Sequence, residues 1–331
     1  MARHTAPDHP RRVPRGVAAL AAVLAASAPV AASASAWFGA SAEGGVGLLQ
    51  AHSAETMPRG LVSVSLTATT CDLYALSGVP GGAHGRVRSV RLAGSVGVTR
   101  WLEVAADASI LSAALGDHSA SGLANPAASV KVGLPVGPPW LLVAVAGRVE
   151  LPLADELVLD AGGGERVPLG GGSVDASAMA LATVDLTSPF PARVHVNVGW
   201  AFHGSDDRGR RVFPGAYPAV PEGGAAGDND AVLLRAAVEF PGRRVSLFTE
   251  FRGDVLVDRG LVALTENPLA LTQGVRVRHG AWSATGALTV GLSGDDPSTP
   301  GFDPLEAYPD WQFEAGLSWG WRAFREGVRR L

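Results

Sequence analysis

Beyond residue 60 the chain alternates apolar and polar positions with period two, and helical periodicity is nowhere sustained. From Trp311 to Trp321 one face carries Trp311, Phe313, Ala315, Leu317, Trp319 and Trp321, and the other Gln312, Glu314, Gly316, Ser318 and Gly320. Val194, Val196, Val198, Trp200 and Phe202 likewise lie opposite Arg193, His195, Asn197 and Gly199, and Val245, Leu247, Thr249 and Phe251 oppose Arg244, Ser246, Glu250, Arg252 and Asp254. These are strands with one apolar face and one polar face. The pattern predicts twelve of them, at about 60–70, 86–98, 101–111, 126–135, 139–151, 174–188, 192–203, 230–241, 243–257, 269–279, 281–292 and 311–321. Each is about ten residues long, enough to cross a bilayer when tilted.

The connections carry the argument further. Thr99-Arg100, Val136-Gly137-Pro138, Pro189-Phe190-Pro191, Pro241-Gly242 and His279-Gly280 are tight turns joining alternate strand pairs. The remaining connections, 71–85, 112–125, 152–173, 204–229, 258–268 and 293–310, are longer and polar. Short and long alternate along the chain, as in a closed antiparallel transmembrane β-barrel with short periplasmic turns, long external loops and an even number of strands. Exposed strands in hydrocarbon must close into a barrel, with their charged faces inward. The phase of each strand then predicts a lumen lined by Arg91, Glu103, Asp107, Lys131, Arg148, Glu150, Asp185, Arg193, His195, Arg235, Glu239, Arg244, Glu250, Arg252, Arg276, Arg278 and Glu314. Arginine and lysine are nearly balanced by carboxylates in this set, so cross-strand pairs are expected to rigidify or partly plug the bore. Trp101, Trp140, Trp200, Trp282, Trp311 and Trp321 fall near strand ends, where an interfacial aromatic belt would sit, although aromatic residues make up only 6% of the chain.

Residues 1–36 differ in kind. Arg3, Arg11, Arg12 and Arg15 precede the apolar stretch Gly16–Val30, which ends in Ala34-Ser35-Ala36 before Trp37, the pattern of a cleaved signal peptide. Cleavage removes four arginines and Asp8, taking the formal net charge from −4 to −7. The expected order is signal peptide 1–36, a periplasmic N-terminal segment 37–59, the barrel 60–321 and a periplasmic tail 322–331. Apolar residues at 47% against 18% charged argue for a chain that buries or embeds hydrophobic surface, and 42 glycines with 23 prolines disfavour a helical bundle. A nucleic-acid partner has no electrostatic footprint, since acidic residues outnumber basic ones. Cys71, the single cysteine, can form neither an intramolecular disulfide nor a cysteine-based zinc site.

Candidate chemistry outside the strands is sparse. Gly227-Asp228-Asn229-Asp230 lacks the spacing and closing Glu of a calcium loop, and the other loop carboxylates (Asp155, Glu156, Asp206, Asp207, Asp295, Asp296, Asp303 and Asp310) read as solvated. His84, His118 and His203 have no metal-ligand spacing, and Gly162–Gly164 and Gly170–Gly172 lack the helix that a phosphate loop needs. No nucleophile elbow, zincin or Walker motif is present, so no cofactor, metal or catalytic residue is assigned and an enzyme is not expected.

The segment Gly97-Val98-Thr99-Arg100-Trp101-Leu102-Glu103 is similar to the strand-turn-strand signature of the outer-membrane transporters of the phenol meta-pathway family. Gly45-Val46-Gly47-Leu48-Leu49, Ser53-Ala54-Glu55 and Pro58-Arg59-Gly60 resemble the opening of outer-membrane barrels, including those with an outer-membrane-protein-A-type domain. The resemblance covers about fifty residues and implies a barrel and transport, with no substrate. Such barrels favour a terminal aromatic residue for assembly, whereas Trp321 here is followed by Arg322–Leu331: either the signal is read internally at Trp321 or the chain departs from that pattern. The leading expectation is a monomeric barrel in outer-membrane lipid that passes small solutes. The alternatives are a structural or surface-interaction barrel and a soluble periplasmic β-sandwich that binds ligands.

Overall fold

A computed structural model describes residues 39–73, 85–115, 117–153, 157–162, 165–170, 174–188, 190–203, 230–257, 269–292 and 311–323. The signal peptide, Trp37, the end of the tail, His84 and the carboxylates expected in the loops, apart from Asp230, lie outside the described residues, as does most of each glycine triplet.

The chain forms β1 (Leu61–Leu73), β2 (Gly85–Gly97), β3 (Leu102–Leu115), β4 (His118–Leu123), β5 (Ala127–Leu134), β6 (Leu141–Glu150), β7 (Leu157–Gly162), β8 (Glu165–Gly170), β9 (Asp175–Asp185), β10 (Arg193–His203), β11 (Ala231–Phe240), β12 (Val245–Leu256), β13 (Leu269–His279), β14 (Trp282–Gly291) and β15 (Trp311–Arg322). Twelve of these run antiparallel in sequence order around one ring, which closes where β1 pairs with β15, from Leu61 opposite Arg322 to Cys71 opposite Gln312. The twelve correspond to the twelve strands expected from alternation. Three short strands were not expected. β4 pairs with the far end of β3, extending that hairpin beyond the ring, and β7 pairs with β8 inside the connection after β6. β4, β7 and β8 do not alternate apolar and polar residues strictly over their six positions, so period two does not mark them.

Register fixes which side chains meet the outside. Leu92, Leu66 and Leu317 lie abreast on β2, β1 and β15, each about half exposed. Val64, Val90, Val130, Val132, Val145, Val196, Val198 and Phe313 continue the same apolar outer surface. Their sequence neighbours Ser65, Thr67, Lys131, Asn197 and Glu314 are buried on the inner side, as is Glu103. A closed ring with an apolar exterior and a polar interior satisfies its backbone without water, which is the requirement for spanning hydrocarbon with strands. Inside the ring, Phe248 of β12 faces Gly274 of β13, and a Cβ at position 274 would strike the phenyl ring, so a glycine there is required by packing.

Replacing Leu66 with Arg at the middle of the outer belt is expected to lower barrel stability by about 2–4 kcal/mol, and Val98→Arg at the rim by about 0–1 kcal/mol. Denaturant unfolding of the reconstituted protein measures both; equal costs would contradict a bilayer-facing belt.

Candidate functional site in the barrel lumen

The lumen is not empty. The stretch 37–59 is expected to be a periplasmic lead-in to the barrel; its described part, 39–59, instead lies inside the ring, bonded to Glu103, Lys131, Asn197 and Glu250 of the inner wall, and fills the short-turn half. The segment is compact in itself. Two reversals are marked by bridges between Ala40 and Val46 and between Gly47 and His52, with backbone bonds from Ser41 N–H to the Gly45 carbonyl and from Ala42 N–H to the Leu49 carbonyl. Gly44 and Gly45 take φ of +86° and +80°, the left-handed region that only glycine enters freely, and this permits the first reversal. Leu48, Leu49, Ala42 and Ala51 cluster with Phe248, Ala237 and Ala287 of the wall, giving the interior a small apolar core.

The wall holds this segment mainly by its backbone. Glu103 accepts from Val46 N–H through Oε1 (3.0 Å) and from Met57 N–H through Oε2 (2.7 Å). Lys131, directly across from Glu103 in the β3–β5 register, donates from Nζ to the carbonyls of Val46 (3.1 Å) and Ser53 (3.2 Å) while standing 3.1 Å from Glu103 Oε1. Glu250 Oε1 accepts from Gln50 N–H and Ala51 N–H at 3.0 and 2.7 Å. Asn197 makes a reciprocal pair with His52, accepting from its N–H (2.8 Å) and donating to its carbonyl (2.9 Å), as a neighbouring strand would. Thr183 Oγ1 accepts from Ala54 N–H at 2.9 Å and lies 3.0 Å from His195 Nδ1.

Charged side chains are paired in groups that include the segment. Arg148 forks onto both oxygens of Asp107 (2.5 and 3.1 Å) and lies 3.8 Å from Glu43, with Arg91 3.6 Å from Asp107 and 3.9 Å from Glu43. Burial disfavours the Glu43 carboxylate, but Arg148, His52 and Arg91 outweigh it and hold the group well below the usual carboxylate range. Arg193 bridges Glu55 (3.0 Å) and Asp185 (2.9 Å). Asp254 is fully buried between Arg235 (2.6 Å) and Arg252 (2.7 Å), and Arg252 also donates to Gln50. Arg276 donates to Thr285 and lies over the Phe248 ring, at the place where a Cβ on Gly39 would meet its guanidinium. Glu314 accepts from Gln312 and Gln50, and His195 Nε2 lies 3.8 Å from Glu239.

Of the positions read from strand phase, Glu103, Asp107, Lys131, His195, Arg235, Glu239, Glu250, Arg252, Arg276 and Glu314 are buried in the ring. Arg91, Arg148, Glu150, Asp185, Arg193 and Arg278 are partly buried; Arg278 donates to Gly242 O and Ser246 Oγ at the short-turn rim. Arg244 stands apart: it precedes β12 in the turn after Phe240 and is exposed, because the chain reverses there before the pleat begins. The alternation puts Asn197, Asp254 and Gln312 on the polar faces but not among the expected lumen residues, and it does not single out Thr183 or Phe248, nor Glu43, Gln50, His52 and Glu55 of the inner segment. The first five share a face with selected charges, and that shared face was the available signal.

Above the segment, towards the long connections, the interior opens into a cavity of about 160 Å³. Its floor is Ala42, Glu43, Gln50 and His52, and its walls include Thr67, Ser89, Arg91, Glu150, Asp175 and Gln312. Among the described residues no cluster of three His, Cys, Asp or Glu side chains could hold a metal ion. Of the six expected belt residues, Trp101, Trp140, Trp282 and Trp321 stand at the short-turn rim and Trp200 and Trp311 at the opposite one. Trp319 stacks between Trp282 (5.7 Å) and Trp321 (4.3 Å) at the short-turn rim.

No family model matches the chain, and no curated protein matches it. Among solved structures, it is similar to the COG4313 outer membrane channel from Pseudomonas putida F1, with TM-score 0.55 at 10% identity over 81% of this chain and 97% of that one. That likeness establishes the shared barrel fold. Lower scores are found against the toluene transporter TodX of Pseudomonas putida (TM-score 0.41, 9% identity, 87% and 99% covered) and the β domain of the Bordetella autotransporter BrkA (0.46, 15%, 80% and 100%).

Asn197→Ala removes both bonds to His52 and leaves two half-buried backbone groups unpaired, a loss of about 1–3 kcal/mol. Amide hydrogen exchange of residues 46–57 is therefore expected to quicken about tenfold or more. The β1–β15 ladder should keep its protection. Equal quickening in both places would mean that Asn197 supports the wall and not the inner segment.

Proposed function

We propose that the protein is an outer-membrane β-barrel whose lumen is a passive route for small polar solutes, closed at its periplasmic half by residues 39–57 in the state described. The observation that carries this reading is the vestibule: a polar, charged cavity within an apolar ring, ending on a segment that belongs to the N-terminal arm and not to the wall. Short turns mark the periplasmic side of such barrels. On that orientation the segment closes the inner mouth and the vestibule faces outward. The likeness to a COG4313 channel supports the barrel on which the reading depends and says nothing of the solute. The route is proposed to lie within a single chain and to involve no catalytic step.

Deleting residues 39–56 is expected to convert small, infrequent currents in a planar bilayer into steady conductance. A structural barrel would stay silent with or without the segment. In the truncated protein Arg91→Glu, whose side chain reaches the vestibule, is expected to shift the reversal potential towards cation preference; no shift would place the permeation path elsewhere.

A further inference from the structure

The inner segment is joined to the wall at many points, but one pair of side chains holds it at three places along its length. Glu103 and Lys131 face each other on adjacent strands, both deeply buried. Val46 is gripped from both sides, its N–H by Glu103 and its carbonyl by Lys131. Lys131 also takes the carbonyl of Ser53, and Glu103 the N–H of Met57. The outgoing and returning arms of the segment are thus fastened to a single ion pair.

We propose that Glu103 and Lys131 form a clasp that keeps residues 39–57 in the lumen, and that the passage opens when the clasp releases this segment as one body. The proposal rests on the reading of the lumen as a route for solutes.

Three features give it content. The segment carries its own backbone bonds, including Gly47 N–H to Gly39 and Ser53 N–H to Val46, so it can leave without unravelling. The wall is bonded strand to strand around the ring, so it can remain when the segment leaves. The join between them is a defined pivot: Gly60 has φ +74°, its N–H donates to Gly97 and its carbonyl accepts from Ala323, which ties the end of the arm to the rim. Pro58 and Met57 pass so close to Gly97 that a Cβ there would strike their carbonyls, so the arm leaves the rim along a fixed line.

The identity of the cation fits the task. Lys131 is the only lysine in the chain, where arginine supplies every other fixed side-chain cation. Its ammonium has three N–H bonds, and here three acceptors surround it: two carbonyls and a carboxylate. A planar guanidinium fork cannot direct donors to three acceptors around one nitrogen.

A single lysine also makes the test direct. A sulfonated N-hydroxysuccinimide ester acylates an amine only where it can reach it, and mass spectrometry separates residue 131 from the chain's terminal amine. In the detergent-solubilised wild type, Lys131 is expected to react slowly. Glu103→Gln replaces one acceptor oxygen with an amide that faces a backbone N–H, and Val46→Pro removes the Val46 donor while leaving the wall untouched. Both are expected to react about 10- to 100-fold faster at Lys131, the loss of one charge-assisted bond read as open population. Both should keep the heat-modifiable migration of a folded barrel. Removal of residues 39–56 should expose Lys131 fully. Protection as strong as wild type in both variants, beside full exposure in the truncated protein, overturns the clasp; so does a Lys131 that stays protected after truncation. If Glu103→Gln does not assemble, Val46→Pro decides alone. A truncated barrel that labels but never conducts overturns the solute route and leaves the clasp to be judged by the labelling.

Discussion

Closure of the ring governs everything else in this molecule. In hydrocarbon a strand cannot leave an edge unpaired, so twelve strands bond to two neighbours each and the last returns to the first. Once the ring is closed, period two leaves no freedom: one face of every strand meets lipid and the other meets the interior. Leucine and valine go outward, and charge goes inward. A charge placed there has left bulk water and must be matched by a partner in the same small volume, because an unmatched buried ion is far more costly than any single packing contact.

The interior meets that demand in two ways. Neighbouring strands supply opposite charges in register, as with Glu103 and Lys131, or within one strand, as with Arg252 and Asp254. Where the wall alone leaves a group short, the inner segment completes it. Glu43 joins the Arg148–Asp107–Arg91 group, Glu55 joins Arg193 and Asp185, and the backbone of residues 50–51 occupies Glu250. The near-balance of charges along the strands is therefore a property of wall and segment together.

This division explains what was legible in the sequence. The twelve ring strands could be read because lipid outside and charge inside impose the same alternation on every one of them, from Val64-Ser65-Leu66-Thr67 to Phe313-Glu314. On the same phase, charges of the expected inner face such as Glu103, Lys131, Glu250 and Glu314 are buried within the ring. Arg244 escaped that logic because parity continues into a turn on paper but the pleat does not. The inner segment was hidden for a deeper reason. Residues 39–60 have no period, and their partners lie far along the chain: Glu103, Lys131, Thr183, Asn197 and Glu250. The wall holds much of the segment through backbone groups, and the side chains that do pair, Glu43, Gln50 and Glu55, find their partners on strands far along the chain. The glycines at 44 and 45 signalled a reversal without saying that it lay inside the barrel.

Wall and segment are held by different means, and the difference matters for function. The wall is a continuous ladder whose rupture would leave backbone groups unpaired in hydrocarbon. The segment is tied to it by side chains, and wall side chains accept from six of its backbone N–H groups, at Val46, Gln50, Ala51, His52, Ala54 and Met57. At about 1 kcal/mol net for each such bond, and more where a carboxylate accepts, the closed arrangement is strongly favoured at rest. Release nonetheless breaks no bond of the ladder, and the interior it leaves is polar enough to be hydrated. A barrel built in this way can be shut without being permanently blocked: closure resides in a separable element, and the part that must survive in the membrane does not depend on it.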